Sequence, residues 1–106
     1  MSDYKLFYMT CKNKVEANKI AYALVKKDLV ACANIIPNIK SYFKWNSKKI
    51  NALKESILIG KTVKKNINKI ILYVKKTSSY DCPCIVFVDI ENGNKEFLNW
   101  IKSSTK

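Results

Sequence analysis

The sequence predicts one α+β domain in the order βαββαβ with an extra C-terminal helix. Three observations carry this. Four runs of apolar and aromatic residues have strand character, two segments between them repeat apolar residues at helical spacing, and 106 residues suit a single domain, 1–106, without a linker. The first run, Tyr4 to Cys11, is apolar and aromatic on both faces of a period-2 pattern, which marks a central strand. Asn13-Lys14-Val15-Glu16 has the form of a capping box, with Asn13 as N-cap and Glu16 three positions on. Behind it Ala17, Ile20, Ala21, Leu24 and Asp28 share a stripe that Val25 widens, so a helix is expected over 14–28.

Leu29 to Ile36 is a second apolar run. Pro37-Asn38 interrupts it and Ile39 to Trp45 resumes it. A polar turn, Asn46-Ser47-Lys48-Lys49, leads to a third strand over 52–61, giving a long hairpin with a bulge or bend near Pro37. Val63, Ile67, Ile70, Ile71 and Val74 recur at helical spacing and predict a second helix over 63–75. After the loop Thr77-Ser78-Ser79, the run Cys84 to Ile90 is nearly all apolar and reads as a buried fourth strand. Asn92-Gly93-Asn94 turns the chain into the last helix, which carries Phe97, Leu98, Trp100 and Ile101. Right-handed crossovers put both main helices on one face of a four-stranded antiparallel sheet, a ferredoxin-like sandwich. The other face, carrying Tyr, Phe and Ile, is left without intrachain cover. Together with the long projecting strands it points to assembly between copies.

Apolar residues make up 48% and charged residues 26%, a globular balance rather than a disordered one. No apolar run reaches the roughly 18 residues of a membrane span, and the first residues hold no apolar signal core, so a cytoplasmic protein with no membrane partner is expected. Twenty basic residues against eight acidic ones give a net charge of +12, which ordinarily suggests nucleic acid. All twenty are Lys, however, and a surface selected for bidentate phosphate recognition should contain Arg. Lys, Asn and Ile fill 44 positions, all with A/T-rich codons, so nucleotide bias accounts for much of the basicity. RNA-recognition modules of this topology also stack bases on aromatic residues of the third strand, and Leu53 to Ile59 has none; no nucleic-acid partner is expected.

The four cysteines match no common zinc spacing, and the chain has no His. Cys11 and Cys32 sit in apolar stretches and read as small buried hydrophobes. Cys82-Pro83-Cys84 is different. In an extended segment its two side chains point the same way, with Cα atoms roughly 7 Å apart, at the limit for a disulfide. Two such thiolates can chelate a soft ion such as Cu(I) or Zn(II), with a second chain or nearby ligands completing the shell. The plainer alternative is a pair of thiols at the start of a buried strand.

Leu29-Val30-Ala31-Cys32-Ala33-Asn34-Ile35-Ile36-Pro37 resembles the LAACxNIIPG run of the CutA family of divalent-cation tolerance proteins. Further similarities follow in order: Ser41-Tyr42-Phe43-Lys44-Trp45 to SxYxW, Glu55 through Thr62 to ExxLIIKT, Tyr80-Asp81-Cys82-Pro83 to YExP, and Gly93-Asn94 with Leu98-Asn99-Trp100-Ile101 to GNxxYLxWI. The resemblance implies a non-enzymatic homotrimer whose hairpins reach around neighbouring subunits. It implies an intersubunit cleft where Trp45, Lys61 and Tyr80 converge, with Glu55 or Asp81 nearby. It further implies binding of, or response to, copper or another divalent ion that folding does not require. A likeness to PII-type signalling trimers gives the alternative, a small anion held in the cleft by Lys61. Lys61 is otherwise expected to form an ion pair with Glu55 or Asp81. The departures fall at the metal ligands: the family's His position is Ser78 and a cleft Glu position is Cys84, so the family's ligands do not carry over; either Cys82 and Cys84 replace them with soft thiolates, or metal binding is lost.

Overall fold

A computed structural model describes residues 2–106. The chain runs β1 (Tyr4–Cys11), α1 (Lys14–Lys26), β2 (Cys32–Phe43), β3 (Asn51–Val63), α2 (Ile67–Thr77, after a 3-10 turn at Lys64–Asn66), β4 (Ile85–Asp89) and α3 (Lys95–Ser103). The sheet order is β2-β3-β1-β4, with every neighbouring pair antiparallel. This is the ferredoxin-like α+β arrangement, with β1 in the interior of the sheet.

Period-2 alternation along β1 sends Phe7, Met9 and Cys11 toward the helices, where they meet Ala17, Ile20 and Leu24 of α1 and Ile70 and Val74 of α2 in one buried cluster. The register lines up Phe87, Phe7, Gly60 and Ala33 across four strands. The two Phe rings lie 5.8 Å apart. Gly60 makes room for them, because a Cβ there would sit 2.1 Å from the Phe7 ring. Asn13 caps α1 by accepting from the Glu16 N–H at 2.9 Å, and Asn94 caps α3 by accepting from the Glu96 N–H at 2.9 Å.

The structure moves several boundaries. α1 stops at Lys26 rather than 28, because Asp28 adopts a left-handed φ of 58° and is exposed, while the Leu29 N–H closes back on the Leu24 carbonyl. β2 begins at Cys32, since Val30 and Ala31 are buried as a connection and not as strand. Val63 belongs to β3, paired with Tyr4, so the second helix starts at Ile67 rather than 63. The bend at Pro37 is a register shift between Ile36 and Ile39, with Asn38 at a φ of 61°. β4 is an edge strand covered on one face only, which leaves Val86 and Val88 53% and 54% exposed where a buried strand was expected.

The second sheet face is not wholly bare. Ile101 of α3, fully buried, packs with Val63 and Ala31 and against Tyr4, Leu98 and Ile90, capping one end of that face. The remainder stays open. Among the described residues no helix is long and apolar enough to cross a membrane.

Candidate functional site

The open face includes two adjacent cross-strand rows. One runs Val86, Tyr8, Ile59, Asn34, and the next Val88, Leu6, Lys61, Cys32. Lys61 therefore stands among apolar neighbours, and its ammonium donates to Asn34 Oδ1 at 2.8 Å. It pairs with neither Glu55 nor Asp81, contrary to the expected ion pair. Glu55 lies six residues away on the same strand, about 20 Å at strand rise. The salt bridge among the described residues joins Lys5 of β1 to Asp89 of β4, and it holds the Asp89 carboxyl below its ordinary range. Lys5 shares the buried face with Phe7 and Met9, which is why it needs that partner.

Glu55 and Tyr80 do come together. The Tyr80 hydroxyl donates to Glu55 Oε2 at 2.7 Å, and Glu55 is only 8% exposed. Burial, that hydrogen bond and the charges of Glu55 and Glu16 push the Tyr80 phenol well above its usual range. Next to it the Ser79 N–H donates to Glu16 Oε1 at 2.6 Å, and the Ser79 hydroxyl to Glu16 Oε2 at 3.2 Å. At the other end of the segment the Thr10 N–H donates to the Cys84 carbonyl at 3.3 Å. The α2–β4 loop is thus tied to α1, β3 and β1. Beneath it Cys11 is buried, and desolvation followed by the charges of Glu16 and Glu55 pushes its thiol up to about 12, which keeps it neutral and unreactive.

Cys82 and Cys84 are both free and exposed, ahead of β4 rather than within a buried strand. Asp81 is exposed beside them. No three His, Cys, Asp or Glu side chains among the described residues gather into a metal-binding group. Cys32 is half-buried on the open face rather than in the core. Trp45 lies past the last hairpin pair, Phe43–Asn51, and is 59% exposed. Within one chain, then, the structure joins Glu55 to Tyr80 and keeps Lys61 and Trp45 apart from them. Sequence reasoning missed the loop-anchoring role of Glu16, which was visible only as a cap. It also missed Lys5–Asp89, although a lone Lys at the same parity as Phe7, Met9 and Cys11 was the available signal.

The fold and the site define a class of domain: a ferredoxin-like sandwich with a largely unpartnered sheet face and a projecting, aromatic-tipped hairpin. Within that class, residues 5–104 match the family model described as CutA1 divalent ion tolerance protein. The chain belongs to the CutA family. It is 41% identical over 103 residues to the divalent-cation tolerance protein CutA of Archaeoglobus fulgidus, covering 97% of this chain and 99% of that protein. The solved structure of the Archaeoglobus protein, described as a periplasmic divalent cation tolerance protein, superposes with a TM-score of 0.92 over 97% of this chain and 99% of that one. CutA1 of Oryza sativa gives a TM-score of 0.95 at 31% identity, covering 99% of this chain and 95% of that structure. The chain spans about half the length, 55%, of the chloroplastic rice relative.

Proposed function

We propose that this chain is a non-enzymatic homotrimeric protein of divalent-cation tolerance that binds copper or another thiophilic metal ion through Cys82 and Cys84. The observation that carries the reading is the coexistence, in a member of this family, of a bare apolar sheet face and an exposed dithiol. The bare face supports assembly, because Tyr8, Val86, Val88 and Ile36 are costly to leave in water, at about 25 cal/mol per Å² of apolar surface. The donor set supports the kind of ion: two thiolates suit Cu(I) and Zn(II) and suit hard, oxygen-seeking ions poorly. Relatives are named for tolerance rather than for a reaction, which supports a role without catalysis. Exposed free thiols suit a reducing compartment, and the cytoplasm is the proposed location.

A second reading rests on Lys61. Its ammonium faces the open side of the sheet with an amide oxygen as partner and no carboxylate, so N–H donors remain for a small anion in a cleft completed by another copy. The two readings separate under native mass spectrometry of the reduced protein with and without one equivalent of Cu(I) per chain. Copper uptake by a trimer, lost when Cys82→Ser and Cys84→Ser are combined, is the expected result. A trimer that stays metal-free turns the site over to the Lys61 reading, which the double variant leaves intact and Lys61→Met abolishes.

A further inference from the structure

We propose that the outer face of the helix layer docks on an anionic lipid bilayer, attracted by its lysines and seated by Tyr22 and Leu72. Residues 12–28 and 64–77, which form α1, α2 and their flanks, hold ten of the twenty lysines and two of the eight acidic residues. Eight of the twelve net positive charges therefore sit on 31 positions of one layer, and all ten of those lysines are exposed. Residues 64–77 carry five lysines and no carboxylate. Codon bias raises lysine everywhere alike and does not gather it on one side.

The helices turn this composition into a surface. Ala17, Ile20, Ala21 and Leu24 of α1 and Ile70 and Val74 of α2 are buried against the sheet. Helical spacing then turns Val15, Lys19, Tyr22 and Lys26 outward from α1, and Lys69, Leu72 and Lys76 outward from α2. Each stripe sets apolar side chains between ammonium groups. Tyr22 is 70% exposed and Leu72 68%, so nothing in the chain covers them. Lys26 Nζ lies 5.9 Å from the Tyr22 ring centroid, a charge riding over an apolar body. Glu16 is already held by the N–H groups of Lys12 and Ser79, and Asp28 lies beyond the end of α1.

Two features select a bilayer over nucleic acid. The layer has no Arg, so it lacks the planar fork that recognises phosphates and bases one by one, whereas ammonium groups suffice for the diffuse attraction of a charged lipid surface. Exposed Tyr and Leu gain from the headgroup–acyl boundary, which a nucleic-acid backbone does not offer. The cytoplasmic leaflet is the anionic one, which agrees with the location proposed above. The expectation of no membrane partner rested on the lack of a spanning run, and surface docking requires none. This face lies across the sheet from Tyr8, Val86 and Val88, so assembly through those residues leaves it in water.

The test is co-sedimentation of the reduced protein with vesicles of phosphatidylcholine alone and of phosphatidylcholine mixed with phosphatidylserine. Binding is expected to the mixed vesicles only and should fall as salt is raised. Each lysine near the headgroups contributes roughly fivefold in affinity, so Lys69→Gln with Lys76→Gln should weaken binding roughly 25-fold. Lys48→Gln with Lys49→Gln removes the same charge from the hairpin turn and should change it little. An equal loss in both pairs shows attraction by net charge alone and overturns the docking face. Tyr22→Ser with Leu72→Ser should weaken binding at every salt concentration; unchanged binding overturns the seating by apolar side chains. Binding of an oligonucleotide duplex at physiological salt without binding of the mixed vesicles overturns the lipid partner in favour of nucleic acid, and binding of neither overturns the proposal. Solution mass and Cu(I) uptake should be unchanged in all these variants, so failure here leaves the trimeric and metal-binding readings standing.

Discussion

The two faces of the sheet are made by alternate residues of the same strands, yet they serve different ends. On the helix side Phe7, Met9 and Leu58 are wholly buried, and Phe7 packs over Gly60 and beside Phe87. On the other side Tyr8, Val86 and Val88 are about as apolar but remain in water outside the end that α3 covers. One face completes the chain, and the other is available for meeting another. A β-strand can carry both instructions because its side chains alternate, so a substitution one residue along tests a different property.

The largest effect is expected on the covered face. Phe7→Ala should cost about 3–5 kcal/mol of unfolding free energy, measured by urea denaturation, because it empties the centre of a close-packed core. Gly60→Ala should follow at about 1–3 kcal/mol, since the added methyl meets a Phe7 ring that has no solvent side to move into. If either variant is as stable as the parent, the helix-side face is not the seat of the chain's stability. On the open face, Val86→Asp should leave the circular dichroism spectrum of the chain intact and lower its solution mass, because it places a charge on the surface proposed to be buried between copies. An unchanged mass would remove β4 from the interface.

Tyr80→Phe should cost about 1.5–3 kcal/mol by loss of one hydrogen bond to a buried carboxylate, and should raise backbone hydrogen exchange in the 78–84 loop. The smallest effect belongs to Lys5–Asp89. The Asp89 carboxyl is held below its ordinary value by the hydrogen bond and charge of Lys5, so its stabilisation is present above pH of about 4 and is lost as pH falls through the lowered folded value. The stability gap between the parent and Asp89→Asn should accordingly close on acidification. A gap that widens would contradict the sign of the shift.

Much of the architecture was legible in the sequence because it is written in local periodicity. The alternation of Tyr4 to Cys11, the Asn13 cap and the stripe Ala17, Ile20, Leu24 need only near neighbours to be read. Where the reading failed, a tertiary contact decided. Val63 has helical spacing to Ile67 but takes extended geometry to pair with Tyr4. The run Cys84 to Ile90 reads as buried, because composition does not say that one of its faces has no partner in the chain. Glu55 and Tyr80 were recognisable one by one, but their hydrogen bond joins residues 25 apart, and Glu16 meets Ser79 across 63. Lys61 was expected beside a carboxylate; the register instead puts Asn34 within its reach.

The central claim is that the open sheet face is an interface between copies of this chain. Its most direct test is the solution mass of the reduced, metal-free protein by sedimentation equilibrium over a range of concentrations. The account predicts three times the 12.2 kDa of the chain, falling to one chain for Val86→Asp. A parent that remains a folded monomer at every concentration, with Tyr8, Val86 and Val88 in water, would contradict it.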